Sequence, residues 1–372
     1  MKKILIVDTT LPINTRTERF RSSFKQHFDV VVAAWNRGES SDQKEKEKEK
    51  EKENFYILNT NLGYGNQIKK TFFLPFFFIH IYLVCIKEKP DTIFASHWDS
   101  LVCAVLIKLT WNWRVKIIYD CLDLPTFSNY LIRKFIFILE RSCLKFVNLT
   151  IFASRYFEPL YSKKLNSYIF ENYPSIDLLG VETREPNWLT ESNSKLLENK
   201  NNIAWIGVVR YLNIIENILL SIKGTNVNFF VFGDGPELEN LKKAVDFHGL
   251  KDQVVFLGRY KTSDIRYIYE KSNLVWAAYP TDDYNAVYAI SNKYFECSFF
   301  EKKIILSYKT KMAQDLLDNP NVILVDEYSS SDINKKILSN IDCNVGDYQK
   351  YADDVSWESK EKMLIDFIVK TL

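Results

Sequence analysis

IAWIGVVR (203–210), NFFVFGDGPELENL (228–241) and VVFLGRY (254–260) are three apolar runs that each break at a glycine. Helical patterns separate them, and the last leads through LVWAAYP (274–280) to SNKYFECSFFEKKIILS (291–307). Short apolar runs alternating with helices mean βαβ units on a parallel sheet. Ligands of such a sheet sit outside the carboxyl ends of its strands. Gly207 and Arg210, Gly233 and Gly235, and Gly258, Arg259 and Tyr260 fall at those ends.

The same alternation fills the first half. Strands are expected at Ile4–Val7, Val30–Ala33, Tyr56–Leu58, Thr92–Ala95, Lys116–Tyr119 and Thr150–Ala153. Helical patterns lie between them, among them Arg16–His27, Leu101–Leu109 and Asn129–Phe146. The polar segment Glu182–Asn202 carries no apolar periodicity and reads as a linker. The expected organisation is therefore α/β with two Rossmann-like doubly wound domains. The first is 1–181, the linker 182–202 and the second 203–355, with an amphipathic helix ending the chain over 356–372. A length of 372 residues favours two cores over one.

Composition narrows the functional classes. The chain is 47% apolar and 26% charged, values of a globular protein, and its net charge of +2 gives no electrostatic case for nucleic acid. Cys85, Cys103, Cys121, Cys143, Cys297 and Cys343 have no paired spacing and lie mostly in apolar runs, so reduced core thiols are expected. Four scattered histidines offer no metal cluster. MKKILIVDTTLP turns polar at Asp8 and reads as a first strand, not a secretory leader. KEKEKEKEKE (44–53), inside a polar loop over 39–54, has nothing to bury and is expected to be solvated.

Thr71–Ile86 (TFFLPFFFIHIYLVCI) is the longest apolar stretch and falls short of the roughly 20 residues that span a bilayer. A helix buried on the N-terminal sheet is the first expectation for it. Flanking Lys69, Lys70, Lys87 and Lys89 also suit peripheral contact with an anionic membrane surface.

The order of turns from Ile203 to Leu306, closed by a helix carrying NKYFE, resembles the nucleotide-sugar domain of GT-B glycosyltransferases. The resemblance is greatest to family 4 (group 1) enzymes of bacterial surface polysaccharide synthesis. It implies two Rossmann-like domains facing a central cleft. In that family a Glu-x7-Glu motif lies between a loop under the donor phosphates and the next helix, and the second glutamate accepts hydrogen bonds from the ribose hydroxyls. Glu296 takes that position, whereas the first falls on Tyr288. Arg210 and Lys293 stand where the family holds cations against the departing diphosphate. Backbone amides up to Ser291 lead into the helix start and suit a phosphate. Gly207 belongs to the first turn, and Arg259 and Tyr260 match the loop that flanks the base.

In the first domain, YDCLDLP (119–125) resembles the family's YDxHE string, with Asp120 in place and Asp123 at the glutamate position. Leu122 stands where a histidine is common. Activating an acceptor hydroxyl needs a carboxylate or imidazole, so Asp120, Asp123 and His97 of SHWDS (96–100) are the acceptor-side candidates, with Asp99 beside them. Arg16 and Arg19 of TTLPINTRTER (9–19) are expected near phosphate or acceptor. Asp282-Asp283 reads as a solvated turn instead of a metal-binding DxD motif, so neither metal nor other cofactor is expected.

The reading is a cytoplasmic or membrane-peripheral glycosyltransferase. It would move a sugar from a nucleotide-diphosphate donor to a growing, lipid-linked surface glycan, with retention implied by the family. Two alternatives remain open: a non-catalytic homologue that partners another transferase, and a GT-B nucleotide-sugar 2-epimerase.

Overall fold

The computed structural model describes residues 1–38, 54–60, 62–63, 67–127, 129–180, 182–198, 201–341, 352 and 355–372. The KE repeat at 44–53, Cys343 and the close of the second domain over 342–351 lie outside the described residues. The chain divides into two compact units, Met1–Glu171 with Glu361–Leu372, and Asn172–Lys360.

The first unit holds a seven-stranded sheet in the order β3-β2-β1-β4-β5-β6-β7, parallel throughout. Its strands are β1 (Lys3–Asp8), β2 (Asp29–Asn36), β3 (Phe55–Asn59), β4 (Thr92–Ser96), β5 (Lys116–Cys121), β6 (Leu149–Phe152) and β7 (Ser167–Ile169). Its helices include α1 (Thr15–Phe24), α2 (Gln67–Glu88), α3 (His97–Thr110) and α4 (Tyr130–Cys143). The central strands are buried along their length, which is why they read as unbroken apolar runs. Strand order reverses between β1 and β4, so this sheet has a switch point. The closing residues of the chain return to the unit: Ser23 Oγ donates to Glu361, and the Lys116 amine donates 2.6 Å to the Leu372 carbonyl.

The second unit repeats the plan with six strands in the order β10-β9-β8-β11-β12-β13. These are β8 (Asn202–Ile206), β9 (Asn228–Phe232), β10 (Val254–Gly258), β11 (Leu274–Trp276), β12 (Lys303–Ser307) and β13 (Val322–Val325). Two short helices, α5 (Ile176–Leu179) and α6 (Glu191–Leu197), precede β8. Helix α6 lies within the segment 182–202 read as a linker: Thr190 caps it and Leu197 is buried. The remaining helices are α7 (Leu212–Ile222), α8 (Leu238–His248), α9 (Ile265–Lys271), α10 (Tyr284–Tyr288), α11 (Asn292–Phe299), α12 (Lys311–Asp315) and α13 (Ser330–Leu338). The last helix, α14, runs Trp357–Thr371. Ile214, Ile215, Ile218, Leu219 and Ile222 of α7 join Trp205, Phe229, Val231 and Trp276 in one core cluster. Burying each such side chain contributes roughly 1.5–3 kcal/mol.

Cys85, Cys103, Cys121, Cys143 and Cys297 are free and buried, and burial pushes the Cys85 thiol up to about 12. Helix α2 departs from the expectation of a buried helix. Phe77, Ile81, Val84 and Cys85 pack inward, whereas Phe72, Phe76, Ile79, Leu83 and Ile86 are exposed.

Candidate functional site

Three strand ends of the second unit interlock through backbone alone. The Gly207 amide donates 2.8 Å to the Phe232 carbonyl, the Val209 amide 3.0 Å to Asp234, and the Gly233 amide 2.8 Å to Gly258. Gly207 and Gly233 adopt φ of +132° and +142°, a region closed to most side chains. A Cβ on Gly233 would stand 1.8 Å from the Gly207 carbonyl oxygen, and one on Gly235 2.3 Å from that of Val209. Close backbone approach therefore requires glycine at 233 and 235, and the backbone conformation favours it at 207. The turns floor a cleft of about 700 Å³ lined by Gly207, Val208, Gly233, Asp234, Gly235, Pro236, Arg259 and Tyr260.

Arg259 is 86% exposed and donates 3.0 Å from Nε to Asp234 across the mouth. The Gly235 amide first, and Arg259 second, hold the Asp234 carboxyl below the usual carboxylate range. Tyr260, the next residue, is half-buried. Burial raises its hydroxyl pKa, the Lys293 ammonium opposes that rise, and Glu296 and Tyr279 reinforce it. Tyr260 thus lines the cleft while sitting in the field of Lys293 and Glu296.

Those two residues lie on the first turns of α11. Ser291 caps the helix by accepting from the Lys293 amide at 3.3 Å. Spaced three apart, Lys293 and Glu296 share one helix face, and Nζ reaches Oε2 at 2.6 Å with both side chains buried. The Tyr269 hydroxyl also donates to that oxygen, and Nζ lies 5.8 Å from the Tyr269 ring centroid. Burial by itself would lower the Lys293 pKa. The Glu296 carboxylate and the Tyr260 hydroxyl outweigh it, holding the amine above its ordinary value and protonated. Lys293 and Glu296, expected to meet diphosphate and ribose separately, are first partners of each other.

Arg210 lies outside the lining of the cleft. It is exposed at the head of α7, 4.8 Å over the Tyr211 ring, with no carboxylate partner among the described residues. Tyr211 takes the left-handed conformation, φ +64°, that turns the chain into the helix. Asp283 caps α10 by accepting from the Asn285 amide at 2.9 Å, and the Tyr288 ring packs 4.9 Å from Tyr284. Among the described residues no cluster of three His, Cys, Asp or Glu side chains is placed to hold a metal.

The first unit sorts its own candidates. Asp120 is fully buried, and Arg16 donates to it from Nε and Nη2 at 3.0 Å each. Arg16 also donates to the carbonyls of Phe170 and Glu171 at 2.6 and 2.9 Å, tying β5 to the end of β7. Asp120, expected on the acceptor side, is buried and paired with Arg16, and Arg16 is itself buried against that carboxylate and the two carbonyls. Leu122 is buried, so an apolar packing position replaces the family's histidine. Asp123 is exposed just beyond β5.

His97 remains at the carboxyl end of β4, half-buried, with φ of +67°. Such an outlier in a non-glycine residue is a strained backbone of the kind that collects at functional sites. Two residues on, Asp99 is buried and paired with Lys70, and accepts from the Ser100 amide at 2.8 Å. Burial favours its neutral form, but Lys70 and then His97 overcome that and keep its carboxyl below the usual range. The Lys70–Asp99 pair was not read from sequence, because 29 residues and a strand separate the partners. Glu327 is also new: fully buried after β13, it accepts from the Thr281 amide at 2.9 Å, and its other oxygen has no hydrogen-bond partner among the described residues.

Residues 190–282 match the family description Glycosyl transferases group 1. A search of curated proteins found no relative. Among solved structures, sucrose-phosphate synthase from Thermosynechococcus elongatus aligns over 100% of both chains with a TM-score of 0.73 and 12% identity. HepE from Anabaena in complex with UDP-glucose aligns over 100% of both chains, at 0.70 and 15%. The UDP-GlcNAc 2-epimerase from Methanocaldococcus jannaschii does so at 0.61 and 12%. The chain has the GT-B fold of two Rossmann-like domains, and the similarity to group 1 glycosyl transferases falls within its second unit.

Proposed function

We propose that this chain transfers a sugar from a nucleoside-diphosphate sugar to a growing, lipid-linked surface glycan, with retention at the anomeric carbon and without a metal. The cleft of about 700 Å³ at the carboxyl ends of β8, β9 and β10 is the observation that carries the reading. Its floor of bare backbone admits a flat base or an anion to van der Waals contact, and its one aromatic flank, Tyr260, leads to Lys293 and Glu296.

In this reading Arg259 or Tyr260 flanks the base and Glu296 accepts from ribose hydroxyls. Arg210, Lys293 and the amides at Ser291 meet the diphosphate as the glycosyl bond breaks. Charge accumulating on the leaving diphosphate is stabilised by fixed cations and helix dipoles. His97 and Asp123 stand on the acceptor side, His97 as the group that takes the hydroxyl proton. UDP is the first nucleotide to test, because a solved neighbour holds UDP-glucose. Membrane contact through Thr71–Ile86, on the cytoplasmic face, would meet a lipid-linked acceptor where it resides.

The test is thermal stabilisation by a panel of nucleotides and nucleotide sugars, on wild type and on Glu296→Ala. A ligand at a hundred times its Kd adds about 2.7 kcal/mol to folding stability. Selective stabilisation by one diphosphate nucleotide, lost in the variant, is expected. No shift with any nucleotide sinks the reading and favours a non-catalytic partner. Release of free sugar altered at C2 identifies an epimerase instead.

A further inference from the structure

We propose that α2, α3 and α4 of the first unit together form a docking surface for an anionic lipid bilayer. This extends the reading of Thr71–Ile86 as a membrane-contact segment, and rests on it. The crossovers β3→β4, β4→β5 and β5→β6 run the same way along the sheet, so their helices share one face of it, opposite to α1. Helix α2 packs beside α3, and α3 beside α4.

The outer side of this three-helix layer is apolar. On α2, Phe72, Phe76, Ile79, Leu83 and Ile86 recur at helical spacing, and Phe72 is 75% exposed. Leu106, Leu109 and Trp113 continue the surface at the end of α3. Tyr130, Leu131, Ile132, Phe135 and Ile138 do so on α4, with Leu131 72% exposed. Phe146, just past α4, completes it. Fourteen of the 26 exposed large apolar side chains among the described residues therefore fall on this one layer. A patch of that extent marks an interaction surface. By length and composition Lys69–Glu88 would also cross a membrane, but Phe77, Ile81, Val84 and Cys85 are buried in the unit. The helix accordingly lies along the protein and offers one stripe.

Charge selects the occupant. Exposed cations border the patch: Lys69 and Lys87 on α2, Arg114 beside Trp113, Lys134 and Arg141 on α4, and Lys145 just past it. None of the three helices carries an exposed acid. Glu88 is half-buried against Lys3, and Asp99 and Glu140 are buried. An anionic headgroup layer attracts every one of these cations while its acyl region takes the apolar stripe. A two-fold contact with a second copy would set the same cations against each other. Position adds to the case. Lys70, on the first turn of α2, pairs with Asp99 two residues from His97, so the docked helix begins beside the acceptor-side strand ends.

The test is co-sedimentation of the full chain with phosphatidylcholine vesicles, with and without phosphatidylglycerol. Phe72→Ser/Phe76→Ser/Leu131→Ser/Phe135→Ser removes four exposed side chains, and Lys134→Glu/Lys145→Glu reverses two charges. Wild type is expected to bind the anionic vesicles and to release in high salt. The serine variant is expected to bind at least about tenfold more weakly, and the charge variant to lose its preference for anionic lipid. Nucleotide stabilisation, measured on the same samples, should be unchanged in both, which separates this inference from the donor-site reading. Wild type left in the supernatant overturns the proposal, as does equal binding by wild type and the variants. So does a dimer that the serine variant disperses without any vesicle binding. If the serine variant does not fold, the charge variant and the salt dependence decide alone.

Discussion

Lys293→Met tests whether the pair on α11 is scaffold, donor site or both. The substitution keeps the length of the side chain and removes its charge. It leaves the Glu296 carboxylate, 5% exposed, with the Tyr269 hydroxyl but without the cation at 2.6 Å. Breaking a buried pair from one side costs about 3–5 kcal/mol, because the remaining charge keeps its desolvation penalty. The second unit spans about 190 residues, for which each kcal/mol shifts Tm by about 2–4 °C, so a fall of roughly 6–20 °C is expected. Lys293→Met/Glu296→Gln should recover most of that loss, since an amide has no charge to strand. Scanning calorimetry of both variants, with and without UDP, reads the two roles separately. The single variant should be unstable and blind to UDP; the double variant should be stable and equally blind. A loss below about 1 kcal/mol in the single variant would show that the pair is solvated. A double variant with the full UDP shift would refute the assignment of either residue to the donor.

Burial pushes the Glu140 carboxyl from 4.5 up to about 7, against the pull of the Tyr119 and Tyr161 hydroxyls that donate to it. The folded state then keeps a proton that the unfolded chain releases from pH 4.5 upward. This contribution is full below pH 4.5 and is lost as pH rises through 7, by up to about 3 kcal/mol. Urea unfolding of wild type and Glu140→Gln from pH 4.5 to 8 should show a difference that shifts in the variant's favour over that window, and a flat difference counts against it. Glu301, exposed at φ +53° just past α11, holds a left-handed conformation that costs a non-glycine residue about 1 kcal/mol. Glu301→Gly should raise stability by about 0.5 kcal/mol after the added freedom of the unfolded chain is subtracted; calorimetry checks it. Asp234→Asn should keep the Gly235 hydrogen bond and release Arg259, tightening diphosphate binding severalfold at low salt and less at high salt. Titration calorimetry with UDP reads this, and weaker binding would mean that Asp234 itself contacts the nucleotide.

Which features were legible in the sequence follows from how far apart their causes lie. Strands β8 and β9 are covered on both faces, so NIAWI and NFFVF announce themselves as unbroken apolar runs. The glycine turns are equally local: each requirement falls on the residue that ends a strand. Strand β7 is three residues at a sheet edge, SYI, two half-buried and one exposed, too short for any period to register. Helix α6 was hidden by its polar sequence, because what marks it is the Thr190 cap and the buried Leu197. The partner of Asp120 was not legible, since Arg16 stands 104 residues away and only the closed sheet brings them together. A motif match could mark Asp120 as a site residue for the same reason that it is a good brace: both positions lie at the carboxyl end of β5. The Lys293–Glu296 pair was visible as a three-residue spacing, but spacing alone does not say that the two bury together.

Pairing also changes how the donor cleft would hold an anion. Of the three cations expected there, Arg259 answers Asp234 and Lys293 answers Glu296, so each adds a dipole and almost no net charge. Arg210 alone brings a whole positive charge, and it stands outside the cleft lining. A diphosphate entering this unit therefore gains little from long-range attraction and must earn its affinity at contact. The groups able to give it are backbone amides, placed where the glycines let a ligand approach. Paired cations are held in place before the ligand arrives, and an ion pair reorganises less than a free side chain when leaving-group charge develops beside it. Weak ground-state attraction combined with fixed dipoles favours the departing diphosphate over the intact donor, which is the difference a transferase needs. The same argument ranks the variants: Arg210→Ala should weaken UDP and UDP-glucose alike, whereas Lys293→Met/Glu296→Gln should lose binding of UDP more completely than binding of the intact UDP-glucose donor.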